Sequence, residues 1–296
     1  MNISVMQPKH VHSEASIKMV KHGDIDLIKI SHAKFNAGIS LFGGQLLWFK
    51  PLKGEDVIWL GDEAVYDKSK PIRGGIPLCF PWFGNSYNKQ THGFARNKDW
   101  LLKTHQATSE EVTICLELKE DDDTLALWPN RFHCNLHIML SDSIKINLVT
   151  TNTDNKSWHY SGAIHSYFNI ASIHESNVSG LGGTCIDGTL GYIETSTDNT
   201  ITINKETILV CLESEPTISI DDSKNDRTLS IKNDGHNAAV VWNPWVETTL
   251  KTDDMKNNDY LNMVCVESAL YGDTSIHLQP GESHTLSTEI NSIENK

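Results

Sequence analysis

Apolar and polar residues alternate with a period of two along much of this chain. Val112, Ile114, Leu116 and Leu118 fall on one side, with Thr113, Cys115 and Glu117 on the other. Phe132, Cys134, Leu136, Ile138 and Leu140 repeat the pattern, as do Ile144, Ile146 and Leu148. Shorter runs follow at Ile201–Ile203, Ile218–Ile220, Leu229–Ile231, Ala239–Trp242, Met263–Val266 and Ile276–Leu278. Side chains of an extended chain point to alternate faces, so each run predicts a strand with one covered face. Asp121-Asp122-Asp123, Ser141-Asp142, Asn233-Asp234-Gly235 and Pro280-Gly281 punctuate the runs as turns. Many short strands without long amphipathic helices between them predict an all-β fold, a large antiparallel sandwich. No Gly-, Ser- or Pro-rich linker, low-complexity tract or short repeat divides the 296 residues. One domain over residues 1–296 is therefore the expectation.

The charge balance narrows the partners. A formal net charge of −13 argues against nucleic-acid binding, which draws its affinity from a basic surface. It also means that an anionic ligand must be captured by local positive charge against the overall field. No apolar stretch is long enough to cross a bilayer, and the N-terminal MNISVMQPKHVHSE lacks the apolar core of a secretory signal, so a cytoplasmic protein without a membrane partner is expected. The six cysteines are scattered with no CxxC pair, and Cys115, Cys134 and Cys211 read as small apolar residues in sheets; free thiols in a reducing compartment are expected. His10-Val11-His12 and the pair His133 and His137 have ligand-like spacing, but neither gathers the three or four ligands of a zinc site. There is no Walker loop, GxGxxG or GxSxG motif.

The stretch Pro71–Trp100, PIRGGIPLCFPWFGNSYNKQTHGFARNKDW, breaks the alternation. Gly74 and Gly75 permit backbone conformations that other residues avoid, while Pro71, Pro77 and Pro81 fix φ and remove donors. The segment reads as a shaped loop presenting Arg73, His92 and Arg96 beside the rings of Phe80, Trp82 and Phe83. Arginine forks suit phosphate or carboxylate, and flat rings suit the C–H face of a sugar. A purely structural loop whose rings plug a core is the competing reading. Farther on, His165-Ser166-Tyr167-Phe168-Asn169 and Val264-Cys265-Val266-Glu267-Ser268 each place one titratable residue in strand-like surroundings.

Five segments, IRGGIPLCFPWFG, HGFAR, HSYFN, VVWNPW and MVCVES, resemble in order the signature segments of the glucose-6-phosphate 1-epimerases, or hexose-6-phosphate mutarotases, relatives of the aldose 1-epimerases. The resemblance runs from about residue 71 to 268. It implies a galactose mutarotase-like β-sandwich with its site on the concave face. It also implies a cofactor-independent isomerase that interconverts the anomers of a hexose 6-phosphate, glucose 6-phosphate in the first place; a monomer is expected. Mutarotation needs a base for the anomeric hydroxyl and an acid for the ring oxygen, two groups on opposite sides of the hemiacetal. By resemblance Glu267 is the base and His165 the acid. His92 bonds a sugar hydroxyl, and Arg73 and Arg96 hold the 6-phosphate. Read without the resemblance, Glu267 could equally be a solvated strand carboxylate, and either arginine could be ion-paired, Arg96 with Asp99 for example.

The chain departs from the family pattern twice. Thr91 stands where Gln commonly precedes HGFAR, and Thr91 is carried over as a substrate contact. Ile208 stands where the family carries a substrate-contacting Asp, and Asp187 or Glu206 could compensate. A non-catalytic sugar-phosphate binder on the same fold would keep the arginines without needing Glu267. A glycoside hydrolase would need two flanking carboxylates, and only Glu267 stands out.

Overall fold

The computed structural model describes residues 15–85, 90–272 and 275–295. His10 and His12 lie outside the described residues. The chain is all-β: strand accounts for 53% of it against 10% helix, the helix among the described residues being short α-helices at Asp122–Leu127 and Trp245–Leu250 and single 3-10 turns such as Ala95–Asn97.

Most of the alternating runs become strands of a nine-stranded antiparallel sheet, while Ala239–Trp242 and Met263–Val266 fall in an eight-stranded one and Ile276–Leu278 pairs with Trp158–Tyr160. Across the nine-stranded sheet lie Thr200–Thr202, Ser176–Ser179, Thr217–Asp222, Arg227–Asp234, Ser283–Glu294, Ser143–Asn152, Phe132–Leu140, Val112–Lys119 and Leu101–Ala107. Val112, Ile114, Leu116 and Leu118 are buried as the alternation requires, and so are Phe132 through Leu140 at every second position. Packed against that sheet is the eight-stranded one. Its central strands are Thr207–Cys211, Ala238–Asn243 and Met263–Leu270, continuing through Gly162–Ile164 to Leu78–Cys79, with Tyr167–Asn169 also paired to Met263–Leu270. Ala239, Val241, Val264 and Val266 join the main core together with Leu116, Leu229 and Ile231 of the larger sheet. The Ser268 hydroxyl donates to the Ser287 carbonyl across the two layers.

A four-stranded sheet, Ala15–His22, Ile25–His32, Phe35–Ser40 and Gln45–Pro51, was not among the runs read from the sequence. Phe35–Ser40 is buried at five of six positions and so presents no period-two signal. Ile25–His32, in contrast, does alternate over Ile28–His32, with Lys29 and Ser31 exposed between buried neighbours, a run the sequence reading passed over.

The cysteine expectation needs correcting. Cys185 and Cys211 form a disulfide, while Cys79, Cys115, Cys134 and Cys265 are free. The antiparallel register sets Cys185 directly opposite Cys211 on neighbouring strands. That juxtaposition depends on strand pairing 26 residues apart and is not readable from spacing. His133, weighed above as a metal ligand, instead meets Glu117 Oε1 at 2.8 Å.

One buried ion pair ties the site-bearing strands to the rest. Arg227 Nε donates to Asp222 at 2.8 Å, and its other nitrogens donate to the carbonyls of Glu55, Asp56 and Asn169. Arg227 is 4% exposed and Asp222 fully buried. Removing one partner of such a pair leaves an uncompensated buried charge. Arg227→Met should therefore destabilise the fold by about 3–5 kcal/mol, which denaturant unfolding of the variant against wild type would measure.

Candidate active site

Strand alternation decides which side chains can meet. In Met263–Leu270 the even-numbered residues Val264 and Val266 point into the main core, while Cys265, Glu267 and Ala269 line the opposite face with other neighbours. Every residue of this strand is buried. Glu267 is thus not a solvated strand carboxylate. Its desolvation comes from what covers its own face and not from Val264 and Val266.

Register then builds the floor of a pocket in two rows. Val210 lies opposite Val240, and Val240 opposite Glu267. Ile208 lies opposite Trp242, Trp242 opposite Cys265, and Cys265 opposite Tyr167. His165 falls between the two short strands, Gly162–Ile164 and Tyr167–Asn169, that pair one after the other along one edge of Met263–Leu270. The Ile164–Ser268 pairing on one side and the Val266 N–H to Ser166 carbonyl bond on the other bring it level with Glu267. The cavity above this floor measures about 750 Å³ and is walled by Arg73, Phe83, Thr91, His92, Arg96, Tyr192 and Tyr271. That size is typical of a small-molecule site.

The glycine-rich loop lies along the floor because its backbone is threaded between strands. His165 N–H donates to the Pro77 carbonyl at 2.9 Å and Tyr167 N–H to the Gly75 carbonyl at 3.0 Å. Gly93, at φ +70°, passes so close to Phe80 that a Cβ would sit 2.0 Å from its carbonyl oxygen. Only glycine fits there, and the close passage delivers His92 and Arg96 to the pocket wall.

All six residues singled out from the sequence, Arg73, Thr91, His92, Arg96, His165 and Glu267, line this one cavity. The rings are another matter. Phe80 and Trp82 are 1% exposed, and Phe80 packs edge-on against Phe94, Trp128, Phe132 and Tyr160. Only Phe83 of the three reaches the pocket; the other rings there are Tyr167, Tyr192, Trp242 and Tyr271.

At the centre, His165 Nε2 stands 3.3 Å from Glu267 Oε1. Glu267 Oε2 and His165 Nδ1 are buried without a hydrogen-bond partner among the described residues. The two groups are side by side and not on opposite flanks as expected. Adjacent placement still suits a hemiacetal, whose hydroxyl and ring oxygens sit on the same carbon. Burial pushes Glu267 well above the ordinary carboxyl value of 4.5, with Arg96 opposing. Burial pulls His165 well below 6.5, assisted by His92, Arg96 and Arg73. Together they hold one proton over a wide pH range.

His92 accepts from the Gly84 N–H through Nδ1 at 3.1 Å, so its ring proton is on Nε2. Burial first, then Arg96 and Arg73, lowers its pKa to about 3. It is a neutral donor at physiological pH. Burial raises the Cys79 and Cys265 thiols, which stay protonated and offer no competing nucleophile.

The arginines differ from each other. Arg73 Nε donates to Asp254 Oδ1 at 3.0 Å and Nη1 to the Tyr167 hydroxyl at 3.2 Å. Asp254, whose side chain is only 3% exposed, was missed in the sequence because nothing in TDDM marks it. Arg96 Nη2 donates to the Thr91 carbonyl at 2.8 Å, and no carboxylate lies within ion-pairing distance of it among the described residues. Asp99 pairs with Lys68 instead. The Thr91 hydroxyl donates to Asn85 Oδ1 at 2.6 Å, and its carbonyl holds Arg96. Ile208 faces the cavity. Neither suggested substitute replaces the missing acid: Asp187 accepts from the Thr189 N–H and hydroxyl, and Glu206 from Thr248.

Residues 26–291 match the sequence profile of the family described as Aldose 1-epimerase. The chain belongs to the aldose 1-epimerase family. Among its relatives, a protein from Escherichia coli K12 named "Putative glucose-6-phosphate 1-epimerase" is 32% identical over 86% of each chain. One of the same name from Cenchrus ciliaris is 34% identical over 83% of this chain and 78% of its own. The crystal structure of a "putative mutarotase" from Salmonella typhimurium superposes with a TM-score of 0.88 at 30% identity, covering 94% of each chain. This aldose 1-epimerase relative is accordingly an isomerase acting on a sugar, and the non-catalytic alternative gives way.

Two outcomes follow from the buried pair. In the unfolded chain Glu267 ionises near 4.5, whereas in the fold it keeps its proton to much higher pH. The contribution of Glu267 to stability is therefore constant below about 4.5 and falls as pH rises toward the folded value. Glu267→Gln removes that loss, so its melting temperature should gain on wild type as pH rises above 4.5; a constant difference from pH 4 to 8 would contradict it. If the one-proton pair is the working form, kcat/KM should follow a broad bell. Its acid limb lies well below 6.5 and its alkaline limb well above 4.5. A pH series with glucose, which carries no titrating phosphate, reads both limbs.

Proposed function

We propose that this aldose 1-epimerase interconverts the α and β anomers of a hexose 6-phosphate, glucose 6-phosphate in the first instance. Glu267 and His165 serve as the proton-transfer pair, and Arg73 and Arg96 bind the phosphate. The observation that carries this reading is Arg96, a guanidinium without a carboxylate partner among the described residues, in the same cavity as the buried Glu267–His165 pair. In a chain of net charge −13, a free guanidinium in a pocket is a specific attractor for an anion. The relatives' names point to the same substrate.

The chemistry needs only the proton that the pair already shares. With that proton on His165 Nε2, Glu267 takes the hydrogen of the anomeric hydroxyl as the C1–O5 bond breaks. Its electrons go to O5, which receives the His165 proton. The open-chain aldehyde rotates about C1–C2 and closes on its other face by the reverse transfers. After ring opening the proton is on Glu267 and His165 is neutral, the distribution that burial favours. Each positioned group contributes on the order of 10²–10⁴-fold. His92, with its proton on Nε2, donates to a sugar hydroxyl. The apolar side chains of Ile208, Val210 and Val240 on the pocket floor can pack against the sugar but cannot hydrogen-bond it, which leaves the phosphate to supply more of the recognition.

Exchange NMR on the two anomers should show that Glu267→Gln and His165→Asn each lose most catalysed exchange while remaining folded. Wild-type rates in either variant would remove that residue from the mechanism. For the phosphate, Arg96→Ala is the cleaner probe, because Arg73→Ala would also strand buried Asp254. A charge-assisted hydrogen bond contributes about 1.5–3 kcal/mol, so Arg96→Ala should lower kcat/KM for glucose 6-phosphate roughly tenfold to a hundredfold and affect free glucose much less. Equal losses on both sugars would make Arg96 structural. Exchange should also survive exhaustive chelation; activity lost to EDTA and restored by one metal would refute the proton-only scheme.

A further inference from the structure

Tyr167 touches both halves of the site, and nothing in the proposed chemistry uses it. Its ring stacks on His165 with centroids 4.9 Å apart and planes 11° from parallel. On the other side it stacks on Trp59 at 5.8 Å and 22°, and Trp242 meets it edge-on at 5.9 Å. Its backbone is fixed at both ends: Tyr167 N–H donates to Gly75, and Trp59 N–H donates to the Tyr167 carbonyl at 3.0 Å. The residue is 3% exposed. Its one polar atom accepts from Arg73 Nη1 at 3.2 Å, while Asp254 holds Arg73 Nε from the other side at 3.0 Å. The same rigid ring that sets the plane of the imidazole therefore ends in the atom that aims the guanidinium.

We propose that Tyr167, backed by Asp254, is a positioning residue that couples phosphate recognition to proton transfer. Its hydroxyl fixes the Arg73 fork, and its ring fixes the orientation of His165. The proposal rests on the functional reading above and extends it. An arginine held at Nε and Nη1 keeps Nη2 for an incoming oxygen and cannot swing away without breaking two bonds, one of them to a buried carboxylate. With no partner on Nδ1 among the described residues, the buried imidazole is held by its Nε2 contact with Glu267, by the edge-on rings of His92 and Trp242, and by the one ring stacked on its face, Tyr167. Stacking contributes to that restraint over and above area burial. Phosphate drawn onto Arg73 consequently loads the element against which the acid is stacked.

The two halves separate by substitution. Tyr167→Phe keeps the ring and removes the hydroxyl; Tyr167→Leu removes both; Asp254→Asn touches Arg73 without touching His165. Exchange kinetics on glucose 6-phosphate and glucose, with melting temperatures as a check on folding, read the result. Tyr167→Phe should raise KM for glucose 6-phosphate about two- to tenfold relative to glucose, the loss expected for one hydrogen bond. Asp254→Asn should do the same. In Tyr167→Leu, kcat should fall further than in Tyr167→Phe, and on both sugars. The wild-type comparison comes first and tests the functional reading alone: no preference for the phosphorylated sugar refutes that reading together with the role given to Arg73. A preference that survives both Tyr167→Phe and Asp254→Asn refutes the coupling and leaves the function standing. Equal kcat in Tyr167→Phe and Tyr167→Leu refutes the stacking half. If the leucine variant does not fold, the phenylalanine and asparagine variants still decide the phosphate half.

Discussion

A carboxyl group sealed between strands must either keep its proton or share it with a neighbour, and Glu267 is placed so that it does both. The strand that carries it is covered on both faces, and the adjacent imidazole of His165 is equally buried. Ionising both would place two charges in a medium that solvates them poorly; ionising neither leaves one proton shared across 3.3 Å. Much of the surrounding architecture serves to maintain this condition. The register across Thr207–Cys211, Ala238–Asn243 and Met263–Leu270 places Val210 and Val240 in line with Glu267, and the glycine-rich loop holds the His165 backbone along the floor through the Pro77 carbonyl. Two buried polar atoms without partners among the described residues, Glu267 Oε2 and His165 Nδ1, mark the cost of the arrangement. An orphaned buried group costs about 1–3 kcal/mol, a penalty tolerated where chemistry requires the atoms free.

The positive groups act on this pair at a distance. Arg73 and Arg96 both depress His165 and His92, so the pocket holds its histidines neutral. A phosphate dianion on the arginines would offset that influence and favour the imidazolium form that donates to the ring oxygen. Substrate charge and catalytic proton thus bear on one another through the same cations.

The all-β architecture was legible wherever a strand has one covered face. Val112–Lys119 and Phe132–Leu140 could be drawn from the sequence nearly residue by residue. In the four-stranded sheet at the N-terminal side, Phe35–Ser40 could not, since a strand buried on both faces carries no alternation. Site residues showed a similar split. Arg73, His92, Arg96, His165 and Glu267 were found because they stand in recognisable segments, and the cavity gathers all of them. Asp254 and the role of the Tyr167 hydroxyl were invisible, because each acts through Arg73, more than 90 residues away in sequence. Phe80 and Trp82 were misplaced because the pattern of rings does not say which of three neighbours turns inward. The disulfide between Cys185 and Cys211 was missed for the same reason: pairing is a property of register and not of spacing.

The central claim is that one cavity holds a sugar phosphate with its anomeric carbon against Glu267 and His165 and its phosphate on the arginines. The most direct measurement is a crystal structure of Glu267→Gln, which should bind without turning over, soaked with glucose 6-phosphate. The account predicts phosphate oxygens within hydrogen-bond distance of Arg73 and Arg96, with the anomeric and ring oxygens facing position 267 and His165 Nε2. A sugar bound with C1 turned away from that pair, or a phosphate seated where neither arginine reaches it, would contradict the account.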